Sequence, residues 1–102
     1  MKKTTCLAGI CLTASLLTGC NESNDFTPVS GMDGMDIYAS ACANCHGENG
    51  TGLFGLFLKL AGSDAPAEEI VGMIQKGGHI MPAFPNIDEQ QAKLVATYLK
   101  SL

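Results

Sequence analysis

The chain has 102 residues and a formal net charge of −4, and it contains no tryptophan and no arginine. This length suits one small domain, and the excess of acidic residues argues against a nucleic-acid-binding protein, which needs a basic surface. The chain shows no internal repeat. It contains five cysteines, so their positions carry much of the information about its chemistry.

The first nineteen residues predict a secretory signal peptide rather than part of a fold. Lys2 and Lys3 give a basic start, and the mostly apolar run from Cys6 to Leu17 is too short to span a bilayer. Residues 17–20, LTGC, look like a bacterial lipobox, in which Cys20 is lipid-modified; the alternative is an ordinary signal peptide cut elsewhere. We therefore expect an extracytoplasmic protein anchored to a bacterial membrane by a lipid on Cys20, facing the periplasm if the cell is Gram-negative.

Residues 20–33 predict a flexible tether between this lipid and the domain. They are rich in Asn, Ser, Asp, Thr, Pro and Gly and show almost no periodic apolar pattern. A flexible segment of this length would reach roughly 20 Å. The two acyl chains of a diacylglyceryl group suffice for stable anchoring.

Residues 35–43 predict a first helix that runs into the sequence CANCH at positions 42–46. This C-x-x-C-H spacing is the signature of covalent haem attachment. On a helical turn Cys42, Cys45 and His46 share one face, so two thiols can form thioethers with one porphyrin edge while the imidazole binds the iron. A zinc site would need further ligands, and a thioredoxin-like pair would need a βαβ context.

The positions of the five cysteines leave none for a disulfide. Cys6 and Cys11 leave with the signal peptide, Cys20 carries lipid, and Cys42 and Cys45 hold haem. Loss of Lys2 and Lys3 with the signal peptide makes the mature chain more acidic.

The remaining segments predict a turn, a loop or short helix, two further helices and no strand. Residues 47–52 predict a turn, and residues 53–60, LFGLFLKL, predict a loop or short helix over the haem, with a membrane-dipping segment as the alternative. Pro66 at the first turn and Gly77-Gly78 at the exit bound a middle helix. Asp88 and Gln91 predict a capping box for a terminal helix to Leu102, with an inner face made by Gln91, Leu94, Val95, Tyr98, Leu99 and Leu102. The predicted fold is all-α, with three or four short helices.

Met81 is the predicted second axial ligand of the iron. It lies in an irregular segment 35 residues after His46, where Pro82 restricts its backbone to an extended conformation. A thioether favours reduced iron relative to a second imidazole. The alternatives are His79, which follows two glycines, and the methionines Met73, Met35 and Met32.

Three segments, CANCHGENGTG, GGHIMPAFP and IDEQQAKLVATYLKSL, together resemble small bacterial mono-haem class I c-type cytochromes. The resemblance covers residues 34–102, the cytochrome c domain, and implies a compact all-α fold around one covalent haem c. It implies His46–Met81 axial ligation and electron transfer by iron cycling between Fe(II) and Fe(III), with no enzymatic activity. It also implies that the first and last helices cross closely, with Gly34 and Tyr38 against Val95 and Tyr98.

The sequence departs from this family at two places. The family often has a proline after the haem motif whose neighbouring carbonyl accepts the histidine N–H, and Gly52-Leu53-Phe54 has none, so no partner is predicted for His46. Arginine and tryptophan, frequent near the haem propionates of relatives, are absent. Lys59, His79 or backbone groups would have to replace them.

We expect a monomeric electron carrier that docks transiently with redox protein partners. The expected docking site is an exposed haem edge near Cys42 and Cys45, surrounded by Leu53, Phe54, Phe57 and Phe84; such redox interfaces are small. A gas-binding haem sensor or a haem enzyme is the alternative from another class, since both need an open iron site. A subunit of a larger oxidase or reductase is the third possibility.

Overall fold

A computed structural model describes residues 23–102. The predicted signal peptide (1–19), the lipidation site Cys20 and residues 21–22 lie outside these residues. Residues 23–102 form four helices, namely α1 (Gly34–Ala41), α2 (Ala43–His46), α3 (Ala67–Lys76) and α4 (Glu89–Lys100), with a short 3-10 turn at Glu48–Gly50. Over residues 23–102 there are two isolated β-bridges but no strand, which confirms the all-α prediction. None of the helices in this range is long and apolar enough to cross a bilayer.

α1 and α4 cross at very short range. A Cβ atom on Gly34 would lie 2.1 Å from the carbonyl oxygen of Leu94, so the crossing requires glycine. One turn later the rings of Tyr38 and Tyr98 lie 5.3 Å apart and tilted, an arrangement that aromatic pairs favour. The predicted contact between the first and last helices is confirmed.

Side chains cap the start of both crossing helices. The Asp33 carboxylate accepts the N–H of Asp36 at 2.8 Å, and Asp88 and Gln91 form the predicted capping box. The first helix is shorter than predicted, because the regular turns stop at Ala41. Cys42, with φ −114°, then starts the separate short helix α2.

The core lies between α1, α3 and α4, and it differs in part from the predicted inner face of α4. Val95 and Leu99 are buried as expected, whereas Leu94 is 46% exposed and Leu102 is also exposed. Ala92 and Ala96 are fully buried instead. The close approach of α1 accounts for Leu94, which meets Gly34 through its backbone and leaves its side chain in part exposed.

Residues 23–33 do not form the free tether that the sequence predicts. The N–H of Asn24 donates to the carbonyl of Ala83 at 2.8 Å, Ser23 and Ala83 form a parallel bridge, and Phe26 and Met32 pack against the core. The sequence predicted a free tether because these residues are mostly polar, but these contacts attach the segment to the domain. Of the predicted tether, only residues 20–22 precede this attached segment.

Residues 53–58 form irregular turns rather than a helix. The N–H of Leu53 donates to the carbonyl of Phe57 at 2.8 Å, which closes a short loop. Its aromatic side chains face solvent, and Phe54 is 97% exposed. Leu53, Phe54 and Phe57 therefore form an exposed apolar surface, and their position around the haem edge stays a prediction. Phe84 is 4% exposed and packs in the core, but it also lines the cavity beside Cys42 and Cys45, which agrees with its predicted place near the motif.

Candidate haem site

The C-x-x-C-H motif lies on α2 with its three chemical groups on one turn. The N–H groups of Cys45 and His46 donate to the carbonyl of Cys42 at 3.1 and 3.0 Å. Cys42 is buried and Cys45 is exposed, and the two do not form a disulfide with each other. Burial, together with the neighbouring Cys45, raises the pKa of the Cys42 thiol to about 11, so this thiol is uncharged at neutral pH. The motif therefore presents one sulfur to the interior and one to the surface.

Two cavities meet at this motif. The inner cavity measures about 300 Å³ and lies between the motif, α3 and α4, whereas the outer cavity measures about 430 Å³ and opens beside Cys45. Cys42, His46 and Met81 line both cavities. The inner wall is mostly aliphatic and includes Leu60, Ile70, Ile74, Val95 and Leu99. An apolar space of this size with a few convergent polar groups is the usual form of a cofactor site, and it fits a haem attached along the motif.

His46 is oriented by a backbone carbonyl. Its Nδ1 lies 2.7 Å from the carbonyl oxygen of Leu58. Because that oxygen can only accept, Nδ1 carries the proton and Nε2 keeps a free lone pair. This is the arrangement that fixes the ring of a metal-binding histidine and increases its basicity. The structure thus supplies the partner that the missing proline left undefined.

The loop that carries Leu58 is attached to the residues after the motif. The N–H groups of Leu60 and Ala61 both donate to the carbonyl of Gly50 at 2.9 Å. Leu58 itself has φ +60°, a conformation that is uncommon for a non-glycine residue. Sequence reasoning missed this contact, because no side-chain pattern shows which carbonyl a loop will turn towards a histidine.

Met81 is brought to the same cavities by the segment after α3. Gly77 ends α3 with φ +71°, and a Cβ atom there would lie 2.7 Å from the carbonyl oxygen of Met81. The N–H of Gly78 donates to that oxygen at 2.9 Å, and the N–H of Phe84 donates to the carbonyl of Ile74 at 2.9 Å. The segment is therefore closed on itself by the first bond and bound to the C-terminal half of α3 by the second.

The alternative ligands are placed differently. Met73 lines only the inner cavity and is 42% exposed. His79 is exposed and does not line either cavity. Met32 packs against the core and Met35 is exposed. Of these candidate ligands, only Met81 lines both of the cavities that His46 lines.

Three polar side chains at the inner cavity were not predicted. Ser63, Glu69 and Lys100 belong to its wall, and the Lys100 ammonium donates to the carbonyl of Ala65 at 3.0 Å. The expected propionate partners Lys59 and His79 do not line either cavity. The position of Lys100 in the last turn of α4 gave no signal in the sequence, since its approach to residue 65 depends on how α4 packs.

A zinc site is not supported by the surroundings of the motif. Within residues 23–102, no group of three or more His, Cys, Asp or Glu side chains is placed to hold a metal ion. A structural zinc ion needs four such ligands. The motif is instead combined with a large apolar cavity, as an organic cofactor requires.

Comparison with known proteins also supports a haem-binding role for this motif. Residues 30–99 match the family described as cytochrome C oxidase, cbb3-type, subunit III. Cytochrome c-550 of Bacillus subtilis (strain 168) is 44% identical over 48 residues, which cover 47% of this chain and 40% of that protein. The match thus spans less than half the length of this relative.

A solved structure also shares the fold. The KustC0563 c-type cytochrome superposes with a TM-score of 0.57 at 22% sequence identity, over 69% of this chain and 96% of that one. The helical fold, the motif on α2 and the family match over residues 30–99 agree with one another. The chain therefore belongs to the family of the cbb3-type subunit III cytochrome domains, and is a small c-type cytochrome with covalently bound haem c.

Proposed function

We propose that this cytochrome is an electron-transfer protein with one haem c, attached through Cys42 and Cys45 and ligated axially by His46 and Met81. The observation that carries the proposal is the convergence of Cys42, His46 and Met81 on both of the adjoining cavities. The bound haem supplies a one-electron Fe(II)/Fe(III) couple. The chain supplies attachment, orientation and an apolar environment.

The protein groups are arranged to keep the ligands fixed during electron transfer. The hydrogen bond from His46 to Leu58 fixes the ring and its tautomer, and the bonds at Gly78 and Phe84 hold the Met81 segment. The aliphatic side chains of α3 and α4 give the inner cavity a largely apolar wall. Two protein ligands that stay in place need little rearrangement when the iron changes charge, which suits a carrier better than a catalyst.

A Met81→Ala variant tests the assignment, with His79→Ala as the matched control. The oxidised wild-type protein should show the weak far-red band of a sulfur–iron bond and should not bind carbon monoxide when reduced. Met81→Ala should lose the band, bind carbon monoxide and have a lower midpoint potential, because a thioether favours reduced iron. His79→Ala should behave as wild type.

Other results would count against the proposal. Carbon monoxide binding by the reduced wild-type protein would indicate an open site and favour a sensor or a haem enzyme. A Met81→Ala variant that keeps the band would exclude Met81 as the ligand. Loss of the band in His79→Ala alone would move the assignment to His79.

The proposed location is outside the cytoplasm, on a bacterial membrane, through a lipid on Cys20. The C-x-x-C-H motif at 42–46 and the lipobox-like sequence at 17–20 are two separate signals that support this location. The proposed partners are redox proteins that bind transiently near Cys45, where the outer cavity opens. The carrier is proposed to act as a monomer.

A second function is a subunit of a terminal oxidase, favoured by the family description over residues 30–99. In that case the chain would remain bound to other subunits in mild detergent. Gel filtration of the detergent-extracted protein separates the two functions: a mobile carrier elutes alone, whereas a subunit elutes with a larger complex that contains further metal centres.

A further inference from the structure

The segment of residues 23–26, which we call the strap, lies beside the loop that carries Met81. The N–H of Asn24 donates to the carbonyl of Ala83 at 2.8 Å, and Ser23 forms a parallel bridge with the same residue. The side-chain amide of Asn86 donates to the carbonyl of Asp25 at 3.3 Å. We infer that the strap holds the Met81 loop, residues 77–84, closed over the haem site; this inference rests on the proposed ligation by Met81.

The strap acts on the side of the loop that α3 does not reach. The bond from Phe84 to Ile74 binds the end of the loop to α3, and the bond from Gly78 to Met81 closes the loop on itself. The bond from Asn24 to Ala83 lies two residues beyond Met81, on the strap side. Asn24 and Phe26 also line the outer cavity together with Met81 and Pro82. The strap therefore lines the same cavity as the Met81 side chain and is bonded to the backbone two residues beyond it.

The strap has a defined local structure of its own. The side-chain oxygen of Asn24 accepts the N–H of Phe26 at 2.9 Å, which turns the chain so that Phe26 packs against the core. Phe26, which packs on the core, and Asn24, which bonds to Ala83, are thus only two residues apart. This geometry makes residues 24 and 26 positioning residues for the axial ligand.

Loss of the strap should raise the population of molecules in which Met81 has left the iron. A neutral thioether is a weak ligand and depends on being held in place. An external ligand binds only to the open form, so its measured affinity rises in proportion to the open fraction. Imidazole binding to the oxidised holoprotein, followed by the change in absorbance, measures this fraction directly.

Two variants loosen the strap by different routes. Asn24→Pro removes the N–H that donates to Ala83, and Phe26→Ala removes the packing on the core. We expect each to bind imidazole at least about fivefold more tightly than wild type, with unchanged haem content. Phe26→Leu should restore an affinity close to wild type, because it refills most of the volume.

Two controls separate this positioning role from general destabilisation. Val29→Ala changes a 68% exposed side chain close to the strap and should leave imidazole affinity unchanged. Ala96→Gly weakens α4 away from the loop, so it should lower the thermal midpoint without tightening imidazole binding. If Asn24→Pro and Phe26→Ala bind imidazole as wild type does, or if Ala96→Gly tightens binding equally, the inference is wrong. If wild type lacks the sulfur–iron band from the start, the ligand proposal fails instead.

Discussion

The hydroxyl of Tyr38 joins the helix crossing to the haem motif. The side chain is buried on α1, and its hydroxyl donates to the carbonyl of Gly47, next to His46, at 2.7 Å. Tyr98 is comparable in type but less buried, and its hydroxyl donates to the side chain of Asn49 at 3.0 Å. The two tyrosines therefore bind two residues of the turn that follows the motif, Gly47 and Asn49.

A Tyr38→Phe variant should be less stable than wild type by about 1–2 kcal/mol, since it leaves the Gly47 carbonyl without this partner. Tyr98→Phe is the matched control and should lose about 0.5 kcal/mol or less, because water can replace its bond at an exposed site. Denaturant unfolding of the holoproteins, followed by circular dichroism, measures both values. Equal losses of unfolding free energy in the two variants would contradict the argument that the hydrogen bond of Tyr38 contributes more because it is buried.

Tyr38 also leads us to expect that the stability of the folded protein depends on pH. Burial raises the pKa of Tyr38 above its ordinary value of 10.0, so the folded protein holds this proton more strongly than the unfolded chain. The resulting stability is complete below pH 10 and decreases as the pH rises above 10 towards the folded pKa. Tyr38→Phe should reduce the loss of stability in that range, and an unchanged slope would contradict the shift.

At the level of single residues, the sequence identified the reactive groups but not their partners. Cys42, Cys45 and His46 follow from a spacing that is local in the chain. The Leu58 carbonyl does not, because its direction depends on backbone angles at φ +60° and on the attachment of the loop to Gly50. Reactive side chains can be identified directly from the sequence, whereas the direction of a loop carbonyl depends on how the loop packs.

The crossing of α1 and α4 depends on the absence of a side chain at Gly34. Gly34→Ala would place a methyl group within 2.1 Å of a backbone oxygen, so the helices must separate. We expect a loss of about 3 kcal/mol or more, at the upper end of overpacking effects. Chemical denaturation of the holoprotein measures it.

Gly72 provides a matched control in α3. A Cβ atom there meets no atom within 4 Å, and glycine within a helix lowers stability relative to alanine. Gly72→Ala should therefore stabilise the protein by about 0.5–1 kcal/mol. If Gly34→Ala and Gly72→Ala both raise or both lower the free energy of unfolding, the argument that the close contact at Gly34 makes alanine unfavourable there is wrong.

The elements were predicted best where short-range signals decide them. The capping box at Asp88 and the glycine exit of α3 are local, and both occur as expected. The inner face of α4 was predicted less well, because helical periodicity selects large apolar residues and does not reveal that the small residues Ala92 and Ala96 are fully buried. The strap was missed for the opposite reason, since its polar composition conceals contacts that only the folded domain provides.

The attached strap changes how the whole molecule would lie at a membrane. The sequence alone predicted a reach of roughly 20 Å for the tether. With residue 23 fixed to the domain, only residues 20–22 separate the proposed lipid from the fold, and three residues span at most about 10 Å. A lipid on Cys20 would therefore hold the domain close to the bilayer, with the Met81 loop on the near side.

A Cys20→Ser variant tests the anchor on which this picture depends. The substitution removes the acceptor of the lipid and leaves the haem site intact, so haem-bearing protein should move from the membrane to the soluble fraction. Cys11→Ser is the matched control: it changes another cysteine of the same N-terminal region and should leave the protein on the membrane. The measurement is haem absorbance in the two fractions after a high-salt wash, which removes proteins held only by surface charge. Cys20→Ser protein that stays with the washed membranes would show that another part of the chain holds it there.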